Sequence, residues 1–211
     1  MLKNAAFAIA APFALCLAFF SCKTTGFFAP GEKKVVVDNI YVEYYNIAEE
    51  YFKIPNYQKA ADYYLKAARN KEISNASYFK AARSYALAKD WNKSLDIYLE
   101  ILKHDKDNES VKESVAYIYA MSGDFEKSER YYLELLSTCP DLSRVLVNYT
   151  IVLATLEKYE EAAKQLELLK EKFPDEKKIQ ELDEKISAAL KPSTDESEGQ
   201  IPSELVQPEL E

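Results

Sequence analysis

The chain has 211 residues and only four glycines. That leaves no material for a collagen-like or glycine-rich low-complexity fold, or for a phosphate loop built on closely spaced glycines. One histidine and three cysteines are too few for a disulfide framework and give no spaced ligand set for a metal. Positive charge is also short. Twenty-seven lysines and arginines face 35 acids, a formal net charge of −8, so a surface that tracks a nucleic-acid backbone is not expected. What is plentiful is aromatic: sixteen tyrosines and ten phenylalanines within a 48% hydrophobic composition. A chain of this length and composition can bury a sizeable core.

The first residues read as an export address. Lys3 is followed by an uncharged, mostly apolar run from Ala5 to Phe20, broken only by Pro12. Its 16 residues fall short of the ~20 of a comfortable membrane span, and a basic start before a short apolar stretch is the pattern of a secretory signal. Leu17-Ala18-Phe19-Phe20-Ser21-Cys22 resembles the lipobox of bacterial lipoproteins, with Ser21 as the small residue before the cysteine, and Phe19 and Phe20 where leucine and a small residue are usual. The resemblance implies cleavage after residue 21 and lipidation of Cys22. Cys16 is a poorer site because it would cut the apolar run in half. An uncleaved anchor, or an ordinary signal with an incidental cysteine, is the alternative. Acyl chains on Cys22 would hold the protein on a bilayer at about 0.8 kcal/mol per buried CH₂. Residues 22–40 then form the lipidated N-terminus and tether.

Beyond the tether the sequence repeats. Tyr57, Trp91, Phe125 and Tyr159 recur every 34 residues. Small residues follow in phase at Ala60, Ser94, Ser128 and Ala162, then Tyr64, Tyr98, Tyr132 and Leu166; upstream stand Ala48, Ala82, Ala116 and Thr150. The spacing inside a unit is helical: Tyr44, Ile47, Ala48 and Tyr51 share one helix face, and Ala60, Tyr64 and Ala67 share a face of a second. Ile54-Pro55-Asn56 and Ser122-Gly123-Asp124 supply turns between the two. Every tyrosine lies inside these units, which assigns most of them to packing between helices.

These units resemble tetratricopeptide (TPR) repeats, through Tyr44-Ile47-Ala48-Tyr51 and Ala60-Tyr64-Ala67 in the first and the closing Pro140 and Pro174 in the third and fourth. Lys112 departs from the pattern, where a bulky apolar residue is usual, as do Glu72 and Lys106, where proline is usual. The resemblance implies an all-α fold, a right-handed superhelical solenoid of four helix-turn-helix units over residues 41–176 (41–74, 75–108, 109–142 and 143–176). Stacked repeats need a capped end, and residues 177–190 offer a helix with Ile179, Leu182, Ile186 and Ala189 on one face. The Pro-, Ser- and Glu-rich segment 191–211 reads as a disordered acidic tail.

In a TPR stack the second, fifth, ninth and twelfth positions of each first helix resemble the lining of the concave groove. Here they include Val42, Tyr45, Glu49 and Phe52; Ala76, Phe79, Arg83 and Ala86; Ser110, Glu113, Tyr117 and Ala120; and Arg144, Val147, Ile151 and Ala154. A surface this apolar, rimmed by charge, points to protein or peptide binding. Tyr45, Phe79, Tyr117 and Ile151 would supply contact area, Glu49 and Glu113 line the same face, and Arg83 and Arg144 would hold carboxylates. Burial of part of this face by superhelical curvature is the competing expectation. The carboxylate clamp of chaperone-binding TPR domains is not reproduced: its positions hold Tyr45, Glu49, Lys80, Ser110 and Ser114, or, one unit on, Phe79, Arg83, Ser114, Arg144 and Asn148.

No catalytic set accompanies His104, expected at the end of a second helix, or Cys139, in an inter-repeat turn before Pro140. The sequence therefore reads as a non-enzymatic scaffold or adaptor, without cofactor, metal or nucleic acid, taking a protein or peptide partner. It is expected on a bacterial envelope membrane, with the periplasmic face of the outer membrane favoured. A non-catalytic regulatory subunit of an envelope enzyme such as a wall synthase is the alternative.

Overall fold

Tyr57, Trp91, Phe125 and Tyr159, the aromatics in phase, each open a helix. The computed structural model describes residues 31–191; the expected signal segment, Cys22 and the expected acidic tail beyond 191 lie outside the described residues. The order is α1 (Glu32–Lys53), α2 (Tyr57–Ala67), α3 (Ser74–Leu87), α4 (Trp91–His104), α5 (Glu109–Met121), α6 (Phe125–Thr138), α7 (Ser143–Thr155), α8 (Tyr159–Lys172) and α9 (Ile179–Leu190). No strand occurs among the described residues. Each helix packs chiefly on its neighbours in the chain, with further contact of α5 on α7 and α7 on α9. This is a helical solenoid of paired helices.

The turn inside each unit is a repeated device. Lys89, Gly123 and Glu157, again 34 apart, all take the left-handed conformation, at φ 59°, 87° and 59°. Their N–H groups donate to Ala86, Ala120 and Ala154, and the next residues, Asp90, Asp124 and Lys158, donate to Tyr85, Tyr119 and Leu153. Those two bonds satisfy carbonyls orphaned at a helix end in the Schellman arrangement. In the first unit Pro55 occupies the same position, has no N–H and cannot take positive φ, so only the second bond forms, from Asn56 to Tyr51. The residue after the turn then caps the next helix. The side chains of Asn56, Asp90 and Asp124 accept from the N–H of Lys59, Lys93 and Lys127, a bond typically worth ~1 kcal/mol.

Small residues at the crossing let the paired helices approach. Ala60, Ser94, Ser128 and Ala162 are fully buried. Serine is tolerated there because its hydroxyl finds a carbonyl on the facing helix: Ser94 donates to Ala82 at 2.7 Å and Ser128 to Ala116 at 2.8 Å. Beside them Tyr64, Tyr98 and Tyr132 are also buried, as core use of the tyrosines requires. Lys112 fits without an apolar side chain. Its stem covers the core, its side chain is 13% exposed, and its ammonium pairs with Glu134 at 2.6 Å, so the charge reaches water while the methylenes pack.

Two expectations are corrected at the ends. The first helix begins at Glu32 rather than near 41, so the last part of the expected tether is helical. It leaves Val35, Val36 and Ile40 exposed, since among the described residues no helix precedes α1 to cover them. At the other end α9 covers the stack with Leu182 and Ile186, both 2% exposed, whereas Ala189 is exposed because α9 extends past the helix it caps.

Candidate functional site

The expected groove face runs across α1, α3, α5 and α7, and the structure treats its four segments differently. On α1 and α3, Tyr45, Phe52, Phe79 and Arg83 are half-buried while Val42 and Ala76 are exposed. On α5, Ser110 is exposed and Tyr117 half-buried. On α7 the face is closed: Val147 is 6% and Ile151 4% exposed. Ile151 therefore supplies no free contact area. The cause is packing, since residues 145–153 of α7 are buried without a break, enclosed by α5, α6, α8 and α9. Ala86 and Ala120, at the twelfth position, are buried too. The exposed and half-buried positions of the expected trough thus lie mainly on the first three units.

Aromatic rings form its floor. The Tyr45 ring meets Tyr64 edge-on at 5.4 Å, Phe52 meets Tyr57 at 5.4 Å, and Phe79 meets Tyr98 at 5.5 Å. Edge-to-face pairs of this kind hold rings in fixed orientations, so the exposed halves of Tyr45, Phe52 and Phe79 form a preset surface.

The charged residues of the face are mostly spent on each other. Glu49 accepts the Tyr64 hydroxyl at 2.5 Å and pairs with Lys80 of the next unit. Partial burial pushes its carboxyl up, but the bonds from Lys80 and Tyr64 outweigh this and hold it below the usual range. Glu113 and Arg144 grip each other as a fork, Nε to Oε1 at 2.5 Å and Nη2 to Oε2 at 2.9 Å. Arg144 is thus committed within the protein instead of standing ready for a ligand carboxylate. Arg83 differs. Its guanidinium lies 5.8 Å from the centre of the Phe52 ring, and its Nε is buried without a hydrogen-bond partner.

Three tyrosines in the same register lie behind the face. The Tyr64 hydroxyl is satisfied by Glu49, whereas those of Tyr98 and Tyr132 are buried with no hydrogen-bond partner. Burial pushes the Tyr98 phenol up to about 12 and Tyr132 higher still. The 34-residue period marked all three as equivalent; the bonding difference follows from the residue 15 positions earlier on the first helix of the same unit, the acceptor Glu49 for Tyr64 but Arg83 and Tyr117 for the other two.

The remaining polar candidates are peripheral. His104 is 82% exposed, with Nε2 at 3.5 Å from Glu100 at the end of α4. Cys139 is a half-buried free thiol, pushed up chiefly by its bond with Glu109. Among the described residues no cluster of histidine, cysteine and carboxylates is placed to hold a metal, and no helix is long and apolar enough to cross a membrane.

This architecture, helix pairs in 34-residue register with a shared left-handed turn, is that of the TPR solenoid. No family model matches the sequence, and no curated protein matches it either. Solved structures do. MamA (AMB-1) aligns over 72% of this chain and 87% of its own with a TM-score of 0.57 at 15% identity. A MamA mutant aligns over 71% and 86%, with a TM-score of 0.57 at 15% identity. YrrB, described as a TPR protein with an unusual peptide-binding site, aligns over 75% of this chain and 91% of its own, with a TM-score of 0.55 at 15% identity. At such identities the likeness is one of fold, and the fold is TPR.

Proposed function

We propose that this protein is an exported, lipid-anchored scaffold of a bacterial cell envelope that holds a peptide or protein segment along the inner face of its first three units. The observation that carries the binding role is the line of half-exposed aromatics Tyr45, Phe52, Phe79 and Tyr117, the first three each held edge-on by a tyrosine of a second helix. Rigid aromatics supply contact area without paying the entropy of ordering flexible side chains. The peptide-binding site named for YrrB agrees with this use of the fold. The lipid anchor rests on Leu17 to Cys22 in the sequence, and the envelope location follows from it. The scaffold has no chemistry of its own in this reading.

Photo-crosslinkers at Ala76 and Ser110, both exposed in the trough, test the binding role without disturbing the core. Both are expected to capture the same partner, and a crosslinker at Leu133, 56% exposed on α6 outside the trough, is expected to miss it. Equal capture from all three positions would remove the proposal. For the anchor, Cys22→Ser is expected to shift the protein from the membrane to the soluble fraction and to abolish the acyl mass on the N-terminal peptide.

A further inference from the structure

The geometry points to a binding site for an aliphatic ammonium in the second unit, in a cavity where the start of α3, the C-terminal half of α4 and the start of α5 meet. Its volume is about 640 Å³, within the range of ligand pockets. Tyr78, Ile97, Ile101 and Val111 line its apolar part, and Asp96, Glu100 and Asp105 its acidic part. Of the residues around it only Phe79 also belongs to the expected groove face, so the site is distinct from the trough. A ligand can reach it: Tyr78 is 42% exposed, and Asp96, Glu100 and Asp105 are exposed as well.

The neighbouring units show what fits there. Tyr44, Tyr78 and Lys112 share one register position on the first helix, and Lys66, Glu100 and Glu134 share one on the second. In the first unit the Lys66 ammonium lies 5.7 Å from the centre of the Tyr44 ring and 4.2 Å from that of Tyr63. In the third, Lys112 pairs with Glu134 at 2.6 Å. One of the chain's own lysines thus joins the two helices, against rings in one unit and a carboxylate in the other. The second unit presents both kinds of lysine partner, Tyr78 and Glu100, and neither lysine nor arginine lines the cavity they share. Asp96 makes no ion pair among the described residues. Glu100 meets Lys103 at 2.5 Å and His104 at 3.5 Å along its own exposed helix, contacts that water screens and a ligand cation can exchange. An aliphatic ammonium satisfies the whole lining: its charge against the Tyr78 ring and the carboxylates, its methylenes along Ile97, Ile101 and Val111 as a lysine stem lies on apolar surface. Three carboxylates repel an anion. Among the described residues no group of histidine, cysteine and carboxylates is placed to hold a metal, so the cation is an organic one.

The probes are cadaverine, a peptide blocked at both ends with a single lysine among alanines and leucines, and the same peptide with norleucine for lysine. Each is titrated against the full chain by ligand-observed NMR. The cavity variants are Tyr78→Ala and the double change Asp96→Asn with Glu100→Gln, all at exposed side chains and each first shown to keep the parent's helical CD signal. Glu160→Gln with Glu171→Gln, which removes two exposed acids of α8, is the charge-matched control. The parent is expected to bind cadaverine or the lysine peptide and to ignore the norleucine peptide. Both cavity variants are expected to weaken binding at least about fivefold, and the α8 control to leave it within about twofold. Binding of cadaverine shows that a free amine suffices, and binding of the lysine peptide alone makes a partner's side chain the occupant; either result supports the site. Binding of neither probe overturns it, as does equal binding of the norleucine peptide. So does unchanged affinity in either cavity variant, or equal weakening in the α8 control, which would reduce the effect to net charge.

Discussion

Removing one oxygen atom from each of three equivalent tyrosines is expected to change stability in opposite directions. Tyr64, Tyr98 and Tyr132 share one register position and are all buried, so a repeat-averaged view gives Tyr→Phe the same effect at each. Their hydroxyls differ. That of Tyr64 donates to Glu49 at 2.5 Å, and hydrogen bonds to charged groups contribute about 1.5–3 kcal/mol. Glu49 keeps Lys80 as a partner in the variant, which places the loss near ~1.5 kcal/mol. The hydroxyls of Tyr98 and Tyr132 have no partner. A buried unsatisfied group costs about 1–3 kcal/mol, and phenylalanine removes that cost without opening a cavity, so a gain of about 1 kcal/mol is expected. Urea unfolding followed by far-UV CD reads the contrast. With a slope near ~2 kcal/mol/M, Tyr64→Phe lowers the midpoint by ~0.7 M and each of the others raises it by ~0.5 M. Tyr98→Phe or Tyr132→Phe destabilising the protein as much as Tyr64→Phe would refute the reasoning.

The left-handed turns give a second contrast. Lys89→Gly and Glu157→Gly are expected to stabilise by up to about 1 kcal/mol, the relieved left-handed strain exceeding glycine's extra chain entropy. Gly123→Ala is expected to cost about as much, through backbone strain alone, since nothing lies within 4 Å of an added Cβ; thermal unfolding of the three variants measures it. A third prediction concerns alkaline pH. Burial, aided at Tyr85 by its bond to Asp62, raises Tyr85 and Tyr98 from 10.0 to about 12. A raised folded pKa means the folded state holds its protons longer, so their stabilisation is complete below the unfolded value. It is lost as pH climbs from about 10 toward about 12. Urea midpoints are expected to fall across that window with tyrosinate absorbance rising alongside, and a flat midpoint to pH 12 would contradict it.

The period carried the fold because it reports a repeated packing problem. Ala60, Ser94, Ser128 and Ala162 are small wherever two helices cross, and the aromatics in phase start the second helix of every unit. The turn was legible only in part. Gly123 announces a left-handed residue, but Lys89 and Glu157 take the same conformation because the flanking helices and two hydrogen bonds impose it, and nothing in a lysine or a glutamate signals that. The start of α1 at Glu32 escaped because the repeat begins later, and the exposed Val35, Val36 and Ile40 show no helical burial pattern that the sequence could have signalled.

The site was legible as a set of positions and not as a set of states. Helical spacing places Glu49, Arg83, Glu113 and Arg144 on one face, but whether a charge there is available depends on the residue that the next unit sets opposite it. Lys80 reaches Glu49 and Arg144 reaches Glu113, each across 31 residues. Had those links followed the repeat, Arg83 would have an acid at residue 114; it has Ser114, whose hydroxyl donates to Ser110 instead. The same rule explains why the trough ends where it does. Tyr117 is half-exposed while Ile151, one unit on, is buried, because α7 is the last first-helix and α9 folds against it. Capping the stack closes the fourth segment, and the broken alternation of charge leaves one cation unmatched in the second. Together they make an asymmetric inner face from a symmetric repeat, open and unevenly charged along the first three units and closed at the fourth.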